Sequence, residues 1–227
     1  MSFVVGIDGP AGTGKSTVTK ILADELNLIN IDTGATYRCV ALKTLEKNVK
    51  IDDKEEIIKI SEEINIEFVQ TEKEQLVFLD GENVTNKIRS AEVTKIVSPI
   101  SSIKEVRLNM VKLQRKLAEG KNVIMEGRDI TTYVFPNADV KIYLDADLEV
   151  RAKRRFEQNK EKNIKMTYEE ILENIAKRDE NDKNKPIGSL KIAEDAIVID
   201  NTNMGMEEMK EKIKQIILEK LQTRKGE

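Results

Sequence analysis

The feature that most limits how this chain can fold is the glycine-rich octapeptide GPAGTGKS at residues 9–16. An apolar segment, Phe3–Ile7, precedes it and is typical of a buried strand, and apolar residues spaced three and four apart follow it, which indicates a helix. Glycines let the backbone turn so that successive N–H groups point into one hollow of anion size. Because a strand and a helix flank it, the motif G-x-x-x-x-G-K-S predicts a phosphate-binding loop and argues against an ordinary glycine turn.

The polar members of this loop have predicted roles. The ammonium group of Lys15 suits the β- and γ-phosphates of a nucleoside triphosphate, and the hydroxyl of Ser16 suits Mg²⁺. The positive N-terminal end of the following helix also attracts an anion. The predicted ATP-binding residues of the loop are Gly9, Pro10, Ala11, Gly12, Thr13, Gly14, Lys15, Ser16 and Thr17.

Short apolar segments alternate with helical periodicities along most of the chain. Further strands are predicted at residues 28–31, 122–125, 140–144 and 196–199. Strands separated by helices imply right-handed crossovers and a parallel sheet that is covered on both faces. The length of 227 residues favours a single domain that spans residues 1–227.

One stretch departs from this alternation. The segments 64–69 and 75–79 have strand-like alternation of polar and apolar residues, and the polar residues 71–74 form a turn between them. A second tight turn follows at Asp80 and Gly81. The pattern predicts a small antiparallel insertion at residues 64–85.

The composition excludes several classes of protein. The chain has no histidine, which excludes Ser-His-Asp and Cys-His catalysis and histidine-bearing zinc sites. Its single cysteine, Cys39, cannot form an internal disulfide, reads as a small buried helix residue and predicts a cytoplasmic protein. A formal net charge of -3 argues against nucleic-acid binding, and no apolar run approaches the ~20 residues that span a membrane.

Polar segments follow the predicted strands in a recognisable order: DTGATYR at 32–38, EGRD at 126–129 and RDEND at 178–182. The Asn-Lys-x-Asp and Asp-x-x-Gly motifs typical of GTPases are absent. With the phosphate loop, these segments resemble the bacterial cytidylate kinases, which phosphorylate CMP and dCMP, over about residues 3–218. The resemblance implies a P-loop kinase three-layer α/β/α fold with a five-stranded parallel sheet, a small antiparallel β insertion and a short helical lid at about 156–166.

Donor side chains follow the second and third predicted strands, where ligands bind in open parallel sheets. They are Thr33, Arg38 and Arg128. Two guanidinium groups suit a phosphate monoester, because each makes a two-pronged, charge-assisted contact. Taken alone, Arg38 is explained equally well as a solvated helix residue, and Tyr37 as a core residue.

The resemblance assigns the cytosine ring to Ser98, Arg107 and Asp129. A carboxylate accepts from the N4 amino group of cytosine, and a guanidinium and a hydroxyl donate to its two acceptors. Uracil has an oxygen in place of that amino group, so the ionised carboxylate would lack a donor, which is a basis for rejection. Read without the resemblance, Ser98 is an ordinary polar residue and Arg107 a surface helix residue.

Arg178 and Asp182 lie one helical turn apart and therefore share a face. The resemblance assigns them to the sugar and the neighbouring phosphate, and a surface ion pair is the alternative. The family commonly has Arg where this chain has Lys185, which keeps the charge but lacks the planar fork. A second departure is Ser189, which stands where a proline is usual.

A basic cluster opens the helix after the fourth predicted strand. It includes Arg151 and Arg155, which share a helix face. In related kinases such residues begin a mobile lid over ATP, so the resemblance implies that Arg151 binds ATP and that Arg155 takes part in catalysis. A solvated basic helix is the alternative.

The implied reaction is transfer of the γ-phosphoryl group of ATP to CMP or dCMP, with Lys15, Arg38, Arg128 and Arg155 stabilising charge and Mg²⁺ held at Ser16. Glu126, the single acid at the end of the third predicted strand, is a candidate for holding a metal-bound water. The acceptor phosphate has a second pKa near ~6 and needs no general base at neutral pH. The predicted CMP-binding residues are Thr33, Tyr37, Arg38, Ser98, Arg107, Gly127, Arg128, Asp129, Arg178, Asp182 and Lys185.

Two alternative functions stay open. One is a kinase for another acceptor such as UMP or dTMP, and the other is a P-loop regulator that binds nucleotide to switch a partner. No long apolar face is left over in the sequence, so we expect a monomer whose partners are ATP and CMP or dCMP, without nucleic acid or membrane.

Overall fold

The computed structural model of the chain describes residues 2–71, 75–161 and 163–225. Its helices are α1 (Lys15–Leu26), α2 (Thr33–Glu46), α3 (Lys54–Glu63), α4 (Ala91–Ile100), α5 (Lys104–Ala118), α6 (Leu148–Glu161), α7 (Tyr168–Lys183) and α8 (Met206–Lys225). Its strands are β1 (Val4–Asp8), β2 (Ile29–Asp32), β3 (Ile66–Gln70), β4 (Gln75–Leu79), β5 (Glu82–Asn83), β6 (Val123–Gly127), β7 (Val140–Asp145) and β8 (Ile197–Asp200).

The main sheet has five strands in the order β2-β6-β1-β7-β8. The strands are parallel, and β1 pairs with β6 on one side and β7 on the other, with Asp8 opposite Gly127 and Tyr143. All five residues of β1 are buried, as expected for a central strand that is covered on both faces. The predicted fold, a five-stranded parallel sheet with helices on both sides, is therefore confirmed.

Side chains of β1 alternate between two packing environments. Val5 and Ile7 belong to a core cluster that also contains Leu22 of α1 and Ile213 of α8. On the other face, a Cβ added to Gly6 would come within 2.8 Å of the Thr131 side chain, so this position admits only glycine without rearrangement. The close approach brings the π-helical turn Ile130–Val134 directly against β1.

The chain divides into two compact units. The larger unit runs to Asn30 and resumes at Gly120, and the smaller unit is Ile31–Glu119. The smaller unit contains the antiparallel sheet β3-β4-β5, in which Phe68 pairs with Val77. The predicted antiparallel insertion is confirmed, and it has a short third strand. The turn predicted at 71–74 lies largely outside the described residues, which do not include 72–74.

The lid predicted at about 156–166 begins inside α6, which ends at Glu161. Residue 162 lies outside the described residues, and the role of this segment stays a prediction. α6 and α7 meet around a small apolar cluster that includes Ala152, Ile171 and Ile175. Within the described ranges, no helix combines the length and the apolar character that crossing a bilayer requires.

The N-terminus of α7 is a capping box, formed by the sequence T-x-x-E at Thr167 and Glu170. The Thr167 hydroxyl accepts a hydrogen bond from the Glu170 N–H at 3.2 Å, and the Glu170 carboxylate accepts one from the Thr167 N–H at 2.8 Å. Removing the hydroxyl in Thr167→Ala leaves an N-terminal helix donor without its cap, so we expect the free energy of unfolding to fall by about 1 kcal/mol. Urea unfolding measures this, with Glu173→Ala at an exposed position of the same helix as control. Equal effects of the two substitutions would contradict a specific role for the cap.

Candidate active site

The phosphate loop of the larger unit connects the C-terminal end of β1 to the N-terminus of α1. Gly12 and Gly14 have φ angles of 84° and 89°, in the left-handed region where a side chain is strained. A Cβ at Gly9 would lie 2.0 Å from the Leu144 carbonyl oxygen, so the loop also requires glycine for close packing. Gly14 is the N-cap of α1 and makes no side-chain cap, and Ser16 and Thr17 in the first turn are exposed. The loop thus presents backbone donors at a helix N-terminus, which is a general anion-binding arrangement.

Lys15 is buried beneath this loop. Its ammonium group donates to the Pro10 carbonyl oxygen at 2.6 Å and to the Thr13 hydroxyl at 3.1 Å. Burial, aided by Arg128, lowers the pKa of Lys15 to about 7, although Glu126 opposes this shift. The carboxylates near Lys15 do not offset its burial. A phosphate held by the loop would add negative charge beside Lys15 and so stabilise the ammonium form.

Asp8 joins the start of the phosphate loop to the segment that follows β6. Its carboxylate accepts hydrogen bonds from the Ile130 N–H at 2.8 Å and from the N–H and hydroxyl of Thr131, both at 2.7 Å. Burial raises the pKa of Asp8 to about 6 in spite of these donors, and the nearby Asp129 adds to the rise. The carboxylate therefore holds the segment beginning at Arg128 beside the loop within the larger unit.

Arg128 directly follows β6, and its side chain contacts α7. Its Nε donates to Asp182 at 2.7 Å, and its Nη1 donates to the Gly127 carbonyl oxygen at 3.2 Å. Burial alone would lower the pKa of Arg128, but the Asp182 carboxylate raises it overall. The ammonium group of Lys185 also donates to Asp182 at 2.8 Å. Although burial opposes it, Arg128 and Lys185 hold the pKa of Asp182 well below its usual range.

Three other predicted residues lie in the same unit. Glu126 and Asp129 are 5% and 4% exposed and flank Arg128 near the end of β6. Arg178 is exposed on α7, close enough to lower the pKa of Asp182. The carboxyl edge of the sheet thus brings two buried acids and several cations together, as the sequence predicts for the ends of parallel strands.

The two predicted lid arginines differ in environment. Arg155 is exposed on α6, and its Nη1 donates to the Gln158 side-chain oxygen at 2.7 Å. Arg151 is buried, and its guanidinium contacts the Ala11 carbonyl oxygen and the Asp179 carboxylate instead of solvent. For Arg151, the alternative of a solvated basic helix residue is wrong.

Three predicted acceptor-side residues of the smaller unit, Thr33, Tyr37 and Arg38, lie in the first two turns of α2. Asp32 caps this helix by accepting from the Ala35 N–H at 3.1 Å. Arg38 donates through Nη1 to the Ile88 carbonyl oxygen at 3.1 Å and to the Thr94 hydroxyl at 2.9 Å. Thr33 is buried in the first turn. These contacts fix the Arg38 guanidinium and rule out a wholly solvated helix arginine.

Arg107 is the largest fully buried side chain of the described residues, with 2% exposure. Its guanidinium carbon lies 5.2 Å from the ring centroid of Tyr37, a core residue, and its Nη1 donates to the Ser101 carbonyl oxygen at 3.1 Å. The sequence alternative of a surface helix arginine is therefore wrong. A cation–π contact and a backbone acceptor compensate for the burial of the guanidinium. Ser98 is half-buried near the end of α4, where its carbonyl accepts from Ser101 and Ser102.

Sequence reasoning missed residues that hold the loop in place. Asn201, 1% exposed, donates from Nδ2 to the Thr13 carbonyl oxygen at 2.7 Å, and its own oxygens accept from Arg154. Asp179 accepts from the Ala11 N–H at 3.2 Å. The available signals were positional: Asn201 directly follows the last strand, and Asp179 lies three residues before Asp182 on one helix face.

The family model and the curated relatives agree on one family. The family model described as Cytidylate kinase matches residues 5–219. The curated protein named "Cytidylate kinase" of Caldicellulosiruptor bescii is 50% identical over 209 residues, 92% of each chain, and that of Bacillus subtilis (strain 168) is 43% identical over 216 residues, 95% of this chain and 96% of the other. Among solved structures, an uncharacterized protein from Eubacterium ventriosum has a TM-score of 0.52 at 11% identity, covering 95% of this chain and 98% of that chain, a likeness of fold alone.

Asp8→Asn is expected to change how the free energy of unfolding depends on pH. The pKa of Asp8 is about 6 in the folded protein and 3.8 as its ordinary value, so protonation favours the folded state. This stabilisation is fully present below about pH 4 and is lost as the pH rises through about 6. In urea unfolding, the advantage of the wild type over Asp8→Asn should be about 2 kcal/mol larger near pH 4.5 than near pH 7. Asp52→Asn, at an exposed position, is the control, and a pH-independent advantage would contradict the assignment.

Proposed function

The chain belongs to the cytidylate kinase family, and from that premise we propose that it transfers the γ-phosphoryl group of ATP to CMP or dCMP, giving ADP and CDP or dCDP. The observation that carries this proposal is the family match along residues 5–219. The phosphate loop with its uncapped helix N-terminus supports the donor half of the reaction. No observation favours another acceptor or a regulator.

The donor half rests on charge stabilisation and positioning, because phosphoryl transfer requires little covalent chemistry from the protein. The loop of residues 9–17 binds the triphosphate through the backbone N–H groups that face the anion, and Lys15 stabilises the charge of the transferring group. Supporting this role, Lys15 is buried at the loop with a pKa lowered to about 7 by burial, which a phosphate anion would reverse. Arg155 stabilises the charge of the transferring group together with Lys15. Its exposed position on α6 leaves the guanidinium accessible.

The acceptor half uses cations at the carboxyl ends of strands. Arg128 and Arg38 bind the phosphate of CMP, and each is already held by protein acceptors that limit its rotamers. Within the larger unit, Arg178, Asp182 and Lys185 bind the sugar and phosphate, with Gly127 beside them. Thr33 and Tyr37 complete the assignment on the smaller unit. The dianionic acceptor needs no base, which agrees with a chain that has no histidine.

Base selection is assigned to a buried carboxylate and buried or half-buried donors. Asp129, 4% exposed, accepts from the N4 amino group of cytosine, and Arg107 and Ser98 donate to the ring's acceptors. Burial supports this assignment, because a desolvated carboxylate facing the O4 of uracil would lose its hydrogen bond without gaining water.

A divalent cation fits the donor half, and we propose Mg²⁺. When bound with the triphosphate, it neutralises phosphate oxygens. The exposed Ser16 would hold the ion through its hydroxyl, and Glu126 would orient a water molecule bound to the ion. Hydroxyl and carboxylate oxygens of this kind suit a hard divalent cation that the phosphates also ligate.

We also propose a monomer in the cytoplasm, without a nucleic-acid or membrane partner. For the absence of a nucleic-acid partner the support is the formal net charge of -3, which provides no general attraction for a polyanion, and for the compartment it is the free, buried Cys39.

The proposal is tested by ADP release across CMP, dCMP, UMP, AMP, GMP and dTMP. We expect release that depends on CMP or dCMP and that falls by about 1,000-fold or more in Lys15→Ala, because the transferring group loses its buried cation. Lys20→Ala, at an exposed position of the same helix, should retain wild-type turnover. Preference for another acceptor, or slow hydrolysis that no acceptor stimulates, would select one of the alternative functions.

A second prediction concerns the base. Asp129→Ala should narrow the preference for CMP over UMP by about tenfold or more, because the wild-type carboxylate discriminates through a hydrogen bond that only cytosine completes. The ratio of kcat/KM values for the two substrates measures the effect and is independent of enzyme concentration. An unchanged ratio would place the base-selecting group elsewhere.

A further inference from the structure

A buried ion pair holds both peptide groups of Ala11 in the phosphate loop. The Asp179 carboxylate accepts from the Ala11 N–H at 3.2 Å, and Arg151 donates through Nη1 to the Ala11 carbonyl oxygen at 2.9 Å. The two side chains also meet each other, with Arg151 Nη1 at 2.5 Å from Asp179 Oδ2. The Arg151 Nε donates to the Ala146 carbonyl oxygen at 2.8 Å, which ties the guanidinium to the end of β7.

The pair is desolvated, since the side chains of Arg151 and Asp179 are only 8% and 11% exposed. A buried ion pair by itself is weak support for stability, because desolvation offsets much of its attraction. Here, however, each member also binds the loop backbone with a charge-assisted hydrogen bond. A pair that served only to join α6 to α7 would have no need to reach Ala11.

The loop requires such external contacts. Gly12, which follows Ala11, has a φ of 84°, and a Cβ added to it would lie 3.1 Å from the Arg151 Cβ. A glycine-rich segment has many accessible backbone conformations, so its N–H groups converge on an anion only where the surroundings fix them. Ala11 is the residue at which α6 and α7 supply that restraint.

We propose that Asp179 is a positioning residue of the nucleotide site: together with Arg151 it fixes the Ala11 peptide groups, so that the N–H groups of the phosphate loop are arranged for the donor phosphates. This inference rests on the proposed phosphoryl transfer and changes the predicted role of Arg151. Its guanidinium acts on ATP through the loop backbone and not by direct contact.

Helix α7 provides a way to separate this role from a general structural one. Three residues after Asp179, Asp182 holds Arg128 and Lys185, which are assigned to CMP. Losing the Asp179 contact should therefore weaken donor binding selectively, whereas a distorted helix would weaken donor and acceptor binding together.

Calorimetric titrations of the full chain with ATP plus Mg²⁺, and separately with CMP, test the proposal. Asp179→Asn keeps the size of the side chain but removes the charge that organises Arg151 and Ala11. We expect the Kd for ATP to rise about tenfold, the loss of one charge-assisted contact, and the Kd for CMP to change less than about twofold. Glu180→Gln makes the same change of charge at the next, exposed position and should alter neither.

Arg151→Lys is the second variant. It keeps a positive charge opposite Asp179 but lacks the fork that reaches the Ala11 and Ala146 carbonyl oxygens together, so it should also raise the Kd for ATP selectively. The double variant should be no worse than the poorer single variant, because both act through one unit. If Asp179→Asn fails to fold, the proposal is tested by Arg151→Lys alone, which should raise the Kd for ATP and leave the Kd for CMP nearly unchanged.

An unchanged Kd for ATP in a folded Asp179→Asn, or equal losses for ATP and CMP, would overturn the proposal. Both titrations are made without turnover. A wild-type protein that binds ATP but fails to phosphorylate CMP would contradict the proposed function, whereas an unchanged Kd for ATP in the variants would contradict the positioning role, so the two failures are distinguishable.

Discussion

The buried carboxylate of Asp8 connects the phosphate loop to the segment that carries Arg128 and Asp129. Asp8 is the last residue of β1, directly before Gly9, and its carboxylate accepts three hydrogen bonds from Ile130 and Thr131. Because β1 and β6 are parallel and in register at Asp8 and Gly127, the two segments leave the sheet at the same edge. The phosphate loop and the segment of Arg128 and Asp129 thus depend on one desolvated acid, whose pKa of about 6 reflects the burial that this connection requires.

Around this connection, buried charges are arranged in partnered sets. Asp182 lies between Arg128 and Lys185, and Asp179 lies between Arg151 and the Ala11 N–H. Each partner compensates for desolvation and also fixes a rotamer, which a reaction based on positioning requires. The formal net charge of -3 therefore coexists with a local concentration of cations, because acids on α7 offset and orient them. Chemistry on a phosphate dianion uses such cations and has no proton that a histidine would need to remove.

The limits of sequence reasoning show at particular residues. The capping box at Thr167 and the loop glycines follow from local rules, and the structure has both. The residues alone placed Arg107 on a helix surface, yet it is buried against the Tyr37 ring. Helical spacing specifies which face a residue occupies, but only the packing of α2 with α4 and α5 determines whether that face meets solvent. Asp179 was missed for the same reason, because its partner Ala11 lies 168 residues away.

By itself, the sequence determined the phosphate loop, the alternation that builds a parallel sheet, the antiparallel insertion and the family, because each depends on residues that are close in the chain or on motifs in order. Tertiary structure alone decided which charges are paired and which backbone groups they hold. It assigned Asp8 to the segment after β6, Asn201 to Thr13, and the Arg151–Asp179 pair to Ala11. The physical reason is that desolvation and hydrogen-bond partnership are properties of packed neighbours, which the order of residues along the chain does not specify.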